Sequence, residues 1–490
     1  MRSRDSEKRC LVRRSRCRKQ QLRCRCSWGS FLTALFLAVF MTANPEASAQ
    51  EVSFGLRSQY HFENLTFREG TGVPSETDQD FSQYLNLDTR GAGLKNLATS
   101  FLLRWEWDMD GTALDSPFRD HRDAFSGRQQ LRFLRGYAEL PDALPHVDVR
   151  VGRQTVFEAE TFLMDGGLFQ LKELGGLDIT AFVGNMVLFF LDPSQDVIFG
   201  GSVTHRPFES TRLRLSNVKY IDNTLEVSVF QEFTEAVDFS AAFALLDDDA
   251  RHLSLSAGYT STRIDTSVLV NVFKQFQASF FKQAELDFTA ANLQGRRDIS
   301  FARLFIGQLQ PFWQYQVRVA QRLVQRLTLE ASFTLREVSS TGNEDAFNAD
   351  FFEFSVGLQL RDWPFTGFVV TPSFNRRELQ RHAIPAAVAF DDIRGEGETR
   401  VQGFTLDLSQ RLFRNALRVG ATIGYQLFDV VSRFQRVEGL NSFGGSGFIE
   451  WHFSKQISVK LRYRRENDLK LIFPDVAWVE GLTFQVVGKF

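Results

Sequence analysis

From Val52 onward, apolar and polar residues trade places one for one, in segments that recur roughly every twenty residues. Leu103, Trp105 and Trp107 alternate with Arg104, Glu106 and Asp108, and Val147, Val149 and Val151 with Asp148, Arg150 and Gly152. Leu327, Leu329, Ala331, Phe333 and Leu335 oppose Thr328, Glu330, Ser332, Thr334 and Arg336. Phe352, Phe354, Val356, Leu358 and Leu360 oppose Glu353, Ser355, Gly357, Gln359 and Arg361. Val419, Ala421, Ile423 and Tyr425 oppose Arg418, Gly420, Thr422 and Gln426, and Val459, Leu461 and Tyr463 oppose Lys460, Arg462 and Arg464. Successive side chains of a strand point to opposite faces, so each segment offers one apolar face and one polar face. The polar face carries charge at strand centres, where a β-sandwich would need an apolar interior. An inside that stays wet is the lumen of a barrel whose other face lies in lipid.

Composition agrees with that geometry. The chain holds 50 Phe, yet its mean hydropathy is slightly negative, so the apolar residues are spread out rather than clustered. No apolar run long enough for a transmembrane helix follows the amino-terminal region. Compact turns fall near Pro141 to His146, Leu174 to Gly176, His205 to Ser210, Leu323 to Arg326, Arg361 to Phe365, Arg411 to Ala416 and Ser454 to Gln456. Longer polar stretches lie between them, at Asp108 to Arg128, Lys274 to Gln310, Asn375 to Thr399, Asp429 to Asn441 and Arg465 to Val479. The expectation is an all-β chain: a single large antiparallel transmembrane β-barrel of about 18 to 22 strands, with short periplasmic turns and long extracellular loops. Several segments between Phe157 and Leu246 are short or ambiguous in pattern.

The amino terminus reads as an address. Residues 1–27 are rich in Arg and Lys, Trp28 to Met41 form an apolar run too short to span a bilayer, and Ala47-Ser48-Ala49 offers small residues for cleavage. Residues 1–49 are therefore expected to be a cleaved signal peptide and residues 50–490 the barrel. All four cysteines, Cys10, Cys17, Cys24 and Cys26, lie in that leader, which leaves the mature chain without thiol, disulfide or haem-attachment chemistry. The leader takes 11 of the 57 basic and 3 of the 59 acidic residues; the remaining 46 and 56 give a formal charge of −10, which argues against nucleic acid as a partner. Strand pattern starts directly after the leader, leaving no room for an amino-terminal plug domain.

At the other end, Leu482, Phe484 and Val486 alternate with Thr483 and Gln485 up to the terminal Phe490. This stretch resembles the closing strand of Gram-negative outer-membrane β-barrels, with Gly488 departing from the usual bulky residue. The resemblance implies an outer-membrane location and makes Phe484, Val486 and Phe490 the signal read by the barrel-assembly machinery. A second stretch, Leu131 to Gln154, resembles a hairpin of substrate-channelling porins, in the broad group of phosphate-selective and alginate-export porins. Leu134-Arg135-Gly136-Tyr137-Ala138-Glu139-Leu140 and Val151-Gly152-Arg153-Gln154 carry the likeness. It implies a single-chain diffusion or export channel and leaves the solute open.

Candidate pore-lining residues follow from the polar faces: Glu106, Arg135, Glu139, Arg150, Arg214, Arg318, Glu330, Arg336, Glu353, Asp407, Arg418, Glu450, Lys460, Arg462 and Arg464. The cations either form a ladder for anions or are neutralised by the carboxylates into a salt-bridged wall. Trp105, Trp107, Trp313, Trp363, Trp451 and Trp478 fall mostly near strand ends, where indoles anchor at the bilayer interface. Asp108, Asp110 and Asp115 around Gly111, and Asp247 to Asp249, lack the ligand spacing of a calcium loop. Of seven His, only His61, His252 and His452 fall on polar faces, and none accompanies a nucleophile and acid in one motif or a metal-spaced partner. The expectation is a channel rather than an enzyme, with no cofactor or metal, passing small hydrophilic solutes, with anions as one candidate class, as a monomer or homotrimer among lipid and lipopolysaccharide. Export of an anionic exopolysaccharide, and a structural or adhesive barrel with partner-binding loops, are the alternatives.

Overall fold

The computed structural model describes residues 51–69, 75–91, 96–109, 129–187, 197–220, 222–276, 311–339, 350–383, 396–432, 436–467 and 476–490. The expected leader, Asp110 and Asp115 lie outside them. The first strands are β1 (Glu51–Phe67), β2 (Glu76–Arg90), β3 (Ala98–Asp108), β4 (Gln129–Leu144), β5 (Val147–Phe157) and β6 (Thr161–Leu174). They are followed by β7 (Leu177–Met186), β8 (Val197–Phe208), β9 (Thr211–Lys219), β10 (Asn223–Thr234), β11 (Val237–Leu246) and β12 (Asp249–Ser261). Next come β13 (Thr266–Gln275), β14 (Phe312–Val324), β15 (Leu327–Val338), β16 (Asp350–Arg361) and β17 (Phe368–Ala383). The last are β18 (Glu396–Leu412), β19 (Leu417–Ser432), β20 (Arg436–His452), β21 (Ile457–Glu466) and β22 (Val476–Lys489).

Each strand pairs antiparallel with the next, and β22 pairs with β1, so the 22-stranded sheet closes on itself. Closure leaves no edge strand. The seam is completed by the last residue: Phe490 N donates to Phe54 O and Phe54 N to Phe490 O, both at 2.7 Å, and the two rings stack with centroids 6.3 Å apart. At a strand spacing of about 4.8 Å and a tilt of about 40°, 22 strands enclose a cylinder about 44 Å across at the backbone.

The outward face is fixed by exposure. Leu131, Val151, Phe199, Leu215, Val227, Phe404, Ile449 and Leu482 are exposed large apolar residues, each at an alternate position of its strand. Such an apolar band around a closed barrel makes this a transmembrane barrel of the outer-membrane type. Phe208, Phe233, Trp363, Phe365, Phe413, Trp451 and Phe453 crowd the short-turn end, where aromatic rings meet the interface.

The expected compact turns all separate adjacent strands on one side. Two of the expected long loops are partly strand. β17 and β18 reach into Asn375 to Thr399 from either end, residues 384–395 lying outside the described ones, and β19 and β20 take up most of Asp429 to Asn441. Their outward positions there include Arg376 and Glu378, which form an ion pair, so the alternation on which strands are recognised fades while pairing continues.

The ambiguous segments between Phe157 and Leu246 form β6 to β11. Along the upper parts of β5 to β9 the inward face is apolar too: Val156, Phe162, Met164, Leu168, Phe182, Met186, Ile198, Val218 and Tyr220 make one buried cluster. With Leu163, Phe169 and Leu171 turned outward, β6 is apolar on both faces, and period-two contrast disappears. β6 and β7 also come unusually close. Gly166 and Gly184 face each other in register, and a Cβ on Gly184 would lie 2.8 Å from Gly166 Cα and 2.5 Å from Asp165 O.

Candidate functional site

All the candidate pore-lining residues stand at positions alternating with the exposed apolar ones. What differs between them is how their charge is met, and it differs by arc of the wall.

From β21 through β1 to β10, most inward cations are held by carboxylates, while Arg57 and Arg212 lie over the rings of Tyr84 and Phe230. Arg464 Nη2 lies 2.6 Å from Glu63 Oε1, across β22, and its Nη1 3.3 Å from Glu466. Glu106 binds Arg104 at 2.5 Å and Arg132 at 3.7 Å. Arg135 donates to Asn86 Oδ1 at 2.7 Å and stands 3.5 Å from Asp88, and Arg150 pairs with Glu139 at 2.9 Å. The β5–β6 connection tucks against this wall. Glu158 accepts from Arg214 at 2.5 Å and from Ser216 at 2.9 Å, while Glu160 pairs with Arg251 at 2.7 Å. Opposite charges on adjacent strands neutralise each other at short range, so this arc presents little net field.

The arc from β14 to β21 is different. Among the described residues, Arg318, Arg326, Arg361, Arg411, Arg418, Lys460 and Arg462 have no carboxylate within 4.0 Å. The acids present make no ion pair with these cations, although Glu450 stands opposite both Arg418 and Lys460 in the strand registers. Asp407 accepts from Thr422 at 2.5 Å, Glu450 lies 3.4 Å from His452, and Glu353 stands 3.8 Å from Arg377. Arg462 reaches only Ser446 Oγ, at 3.5 Å. Glu330 is exposed beside Ala320 in register, and Arg336 packs over the Phe312 ring, 3.8 Å from its centroid.

The alternation rule did not identify the inward aromatic residues. Phe448 points into the lumen between Arg418, 5.3 Å from its centroid, and Lys460, 4.8 Å away. Gly420 gives it a floor, since a Cβ there would lie 2.4 Å from the ring. Tyr84 is flanked in the same way by Arg57 at 5.7 Å and Arg104 at 5.2 Å, and Arg150 lies 4.6 Å over Tyr137. A ring face attracts a cation and fixes its direction without cancelling its charge. The signal was present in the parity: Phe443, Ile449 and Trp451 are outward, so Phe448 falls on the polar face.

Of the histidines, His61 lies between Thr483 Oγ1 at 2.9 Å and Glu63 at 3.0 Å, and His252 stacks on Phe273. Asp247 caps the backbone N–H of Asn223 at 2.8 Å. Trp105 and Trp107 stack outward on β3, and Trp478 sits under Arg465 near the start of β22.

No protein-family model matches the sequence, and no curated protein matches it. Among solved structures, the chain is similar to OccAB3 of Acinetobacter baumannii, at 10% identity and a TM-score of 0.42, covering 90% of this chain and 100% of that one. It is similar to a BenF-like porin from Pseudomonas fluorescens Pf-5, at 9% identity and a TM-score of 0.44, covering 90% and 98%. It is also similar to the outer-membrane protein OpdK from Pseudomonas aeruginosa, at 9% identity and a TM-score of 0.38, covering 90% and 99%. Likeness at this level identifies neither a family nor a solute, and the barrel stands on its own strand pairing.

Proposed function

We propose that this chain is a diffusion channel of the outer membrane that passes small hydrophilic solutes and favours anions. The observation that carries the reading is the division of the lumen wall, with most cations ion-paired on one arc and a run of cations without ion pairs on the other. A charged row on a low-dielectric wall focuses its field into the passage and raises the local concentration of counter-ions. Hydroxyl and amide groups on the inward faces, such as Ser332, Ser355, Gln316 and Thr334, replace part of a solute's hydration as it passes. No covalent step is required, and the chain is read as a channel rather than an enzyme.

The test is single-channel recording of the purified protein in planar bilayers. Open-channel current is expected, together with a reversal potential in a tenfold KCl gradient of the sign given by chloride preference. A protein that inserts and stays silent would favour the structural-barrel alternative, and a cation-selective reversal potential would remove the anion preference.

A further inference from the structure

Four arginines line up around the short-turn end of the cation arc, on three successive hairpins. Arg326, in the β14–β15 turn, accepts at its carbonyl from Arg361 N at 2.8 Å. Arg361 ends β16, and the turn that follows it receives Arg411 N at Gly367 O, at 3.1 Å. Arg411 then stands directly opposite Arg418 in the β18–β19 register. Two like charges facing each other across a ladder destabilise it unless something of opposite sign intervenes. Asp362 makes no ion pair with either, its carboxylate capping the N–H of Gly367 at 2.6 Å. Asp407 is turned to Thr422 and Glu450 to His452.

These arginines border two cavities. One, of about 580 Å³, is lined by Arg361, Arg411 and Arg418 together with Asp362 and Asp407, three cations against two carboxylates. The other, of about 380 Å³, is lined by Arg322, Arg326 and Arg361. Arg361 belongs to both and joins them. Of the five arginines only Arg322 has an ion pair, with Asp265 at 3.3 Å. Most residues lining the two cavities stand on inward faces or in the short turns, and each cavity is large enough for a small solute.

We infer that this end of the lumen holds a binding site for a compact anion carrying two or more negative charges, an oligophosphate or a small polycarboxylate, with Arg361 and Arg411 as its principal ligands. Guanidinium groups match phosphate and carboxylate oxygens in paired hydrogen bonds, and such a ligand would bridge Arg411 and Arg418 and relieve their opposition. The inference deepens the channel reading by adding a fixed station at the periplasmic mouth, and it rests on that reading only for the side of the membrane.

Inorganic tripolyphosphate titrated calorimetrically into the full-length mature protein in detergent, at low salt, tests it without requiring conduction. Saturable binding is expected, weakened by at least about tenfold in Arg361→Gln/Arg411→Gln. The Arg361→Lys/Arg411→Lys pair should keep more affinity than the Gln pair. Arg57→Gln/Arg212→Gln removes the same net charge elsewhere on the wall and should bind like the unaltered protein. Heat-modifiable migration reports folding, and the single change Arg361→Gln is the milder variant if the double fails to fold. Absence of saturable binding, or equal loss in the two Gln pairs, would overturn the site. Binding with the expected pattern in a protein that carries no current would leave the site standing and overturn the channel.

Discussion

Lys460 and Arg462 offer the cleanest perturbation of selectivity, because neither has a carboxylate within ion-pair distance among the described residues and both lie on one face of β21. A unit charge acting on a monovalent ion about 7 Å away contributes about 0.6 kcal/mol in a water-like medium. Screening over a Debye length of about 10 Å at 0.1 M halves that to about 0.3 kcal/mol. Changing both residues to Gln therefore removes about 0.6 kcal/mol of attraction for an anion and the same repulsion for a cation. The permeability ratio should fall by up to about eightfold, and by about twofold if only part of the passage feels these charges. At 1 M salt, where the screening length is about 3 Å, the change should shrink below about 1.5-fold. Reversal potentials of Lys460→Gln/Arg462→Gln in salt gradients at both strengths measure this. The neutral double change Glu63→Gln/Arg464→Gln serves as the control, since it removes one charge of each sign from a bound pair. An unaltered ratio at 0.1 M, or an equal shift in the control, would refute the argument that unpartnered cations set the preference.

Deleting Phe490 removes the two backbone hydrogen bonds and the ring contact with Phe54 that finish the seam; heat-modifiable protein should decline, and normal insertion of the deletion would remove the terminal strand from its role as assembly signal. Cysteine at Asp248, in the β11–β12 turn, should be labelled by an impermeant reagent on intact cells, while cysteine at Glu209 or Gln325, in turns at the other end, should not; the reverse pattern would invert the orientation. Gly184→Ala should force β6 and β7 apart at a cost of about 1–3 kcal/mol, lowering the urea midpoint for folding into lipid vesicles. Gly167→Ala, with nothing within 4 Å of its Cβ, should leave that midpoint unchanged.

Alternation made the barrel legible because lipid and water impose opposite demands on the two faces of each strand. It worked best where the demands were clean, as in β15, β16 and β21. It faded on β6, where Phe162 and Met164 turn inward to an apolar cluster, and at Arg376 and Glu378, where β17 carries charge on its outward face. The face of each charged residue could be read from parity, but its partner could not. Arg464 and Arg462 look alike in sequence, yet Glu63 reaches the first from 401 positions away and no carboxylate reaches the second. The same limit hid Phe448, whose role depends on Gly420 and two cations brought beside it by strand register.

The thickened wall on β5 to β9 displaces the route a solute can take. Its buried apolar side chains and the inward turn at Glu158 to Glu160 occupy space on one side of the cylinder, so the cross-section left open by the described residues is eccentric. In the proposed channel a solute would be pressed towards the opposite side, where Arg318, Arg361 and Arg418 stand. In the proposed channel, bulk on one flank would thus increase the influence of charge on the other.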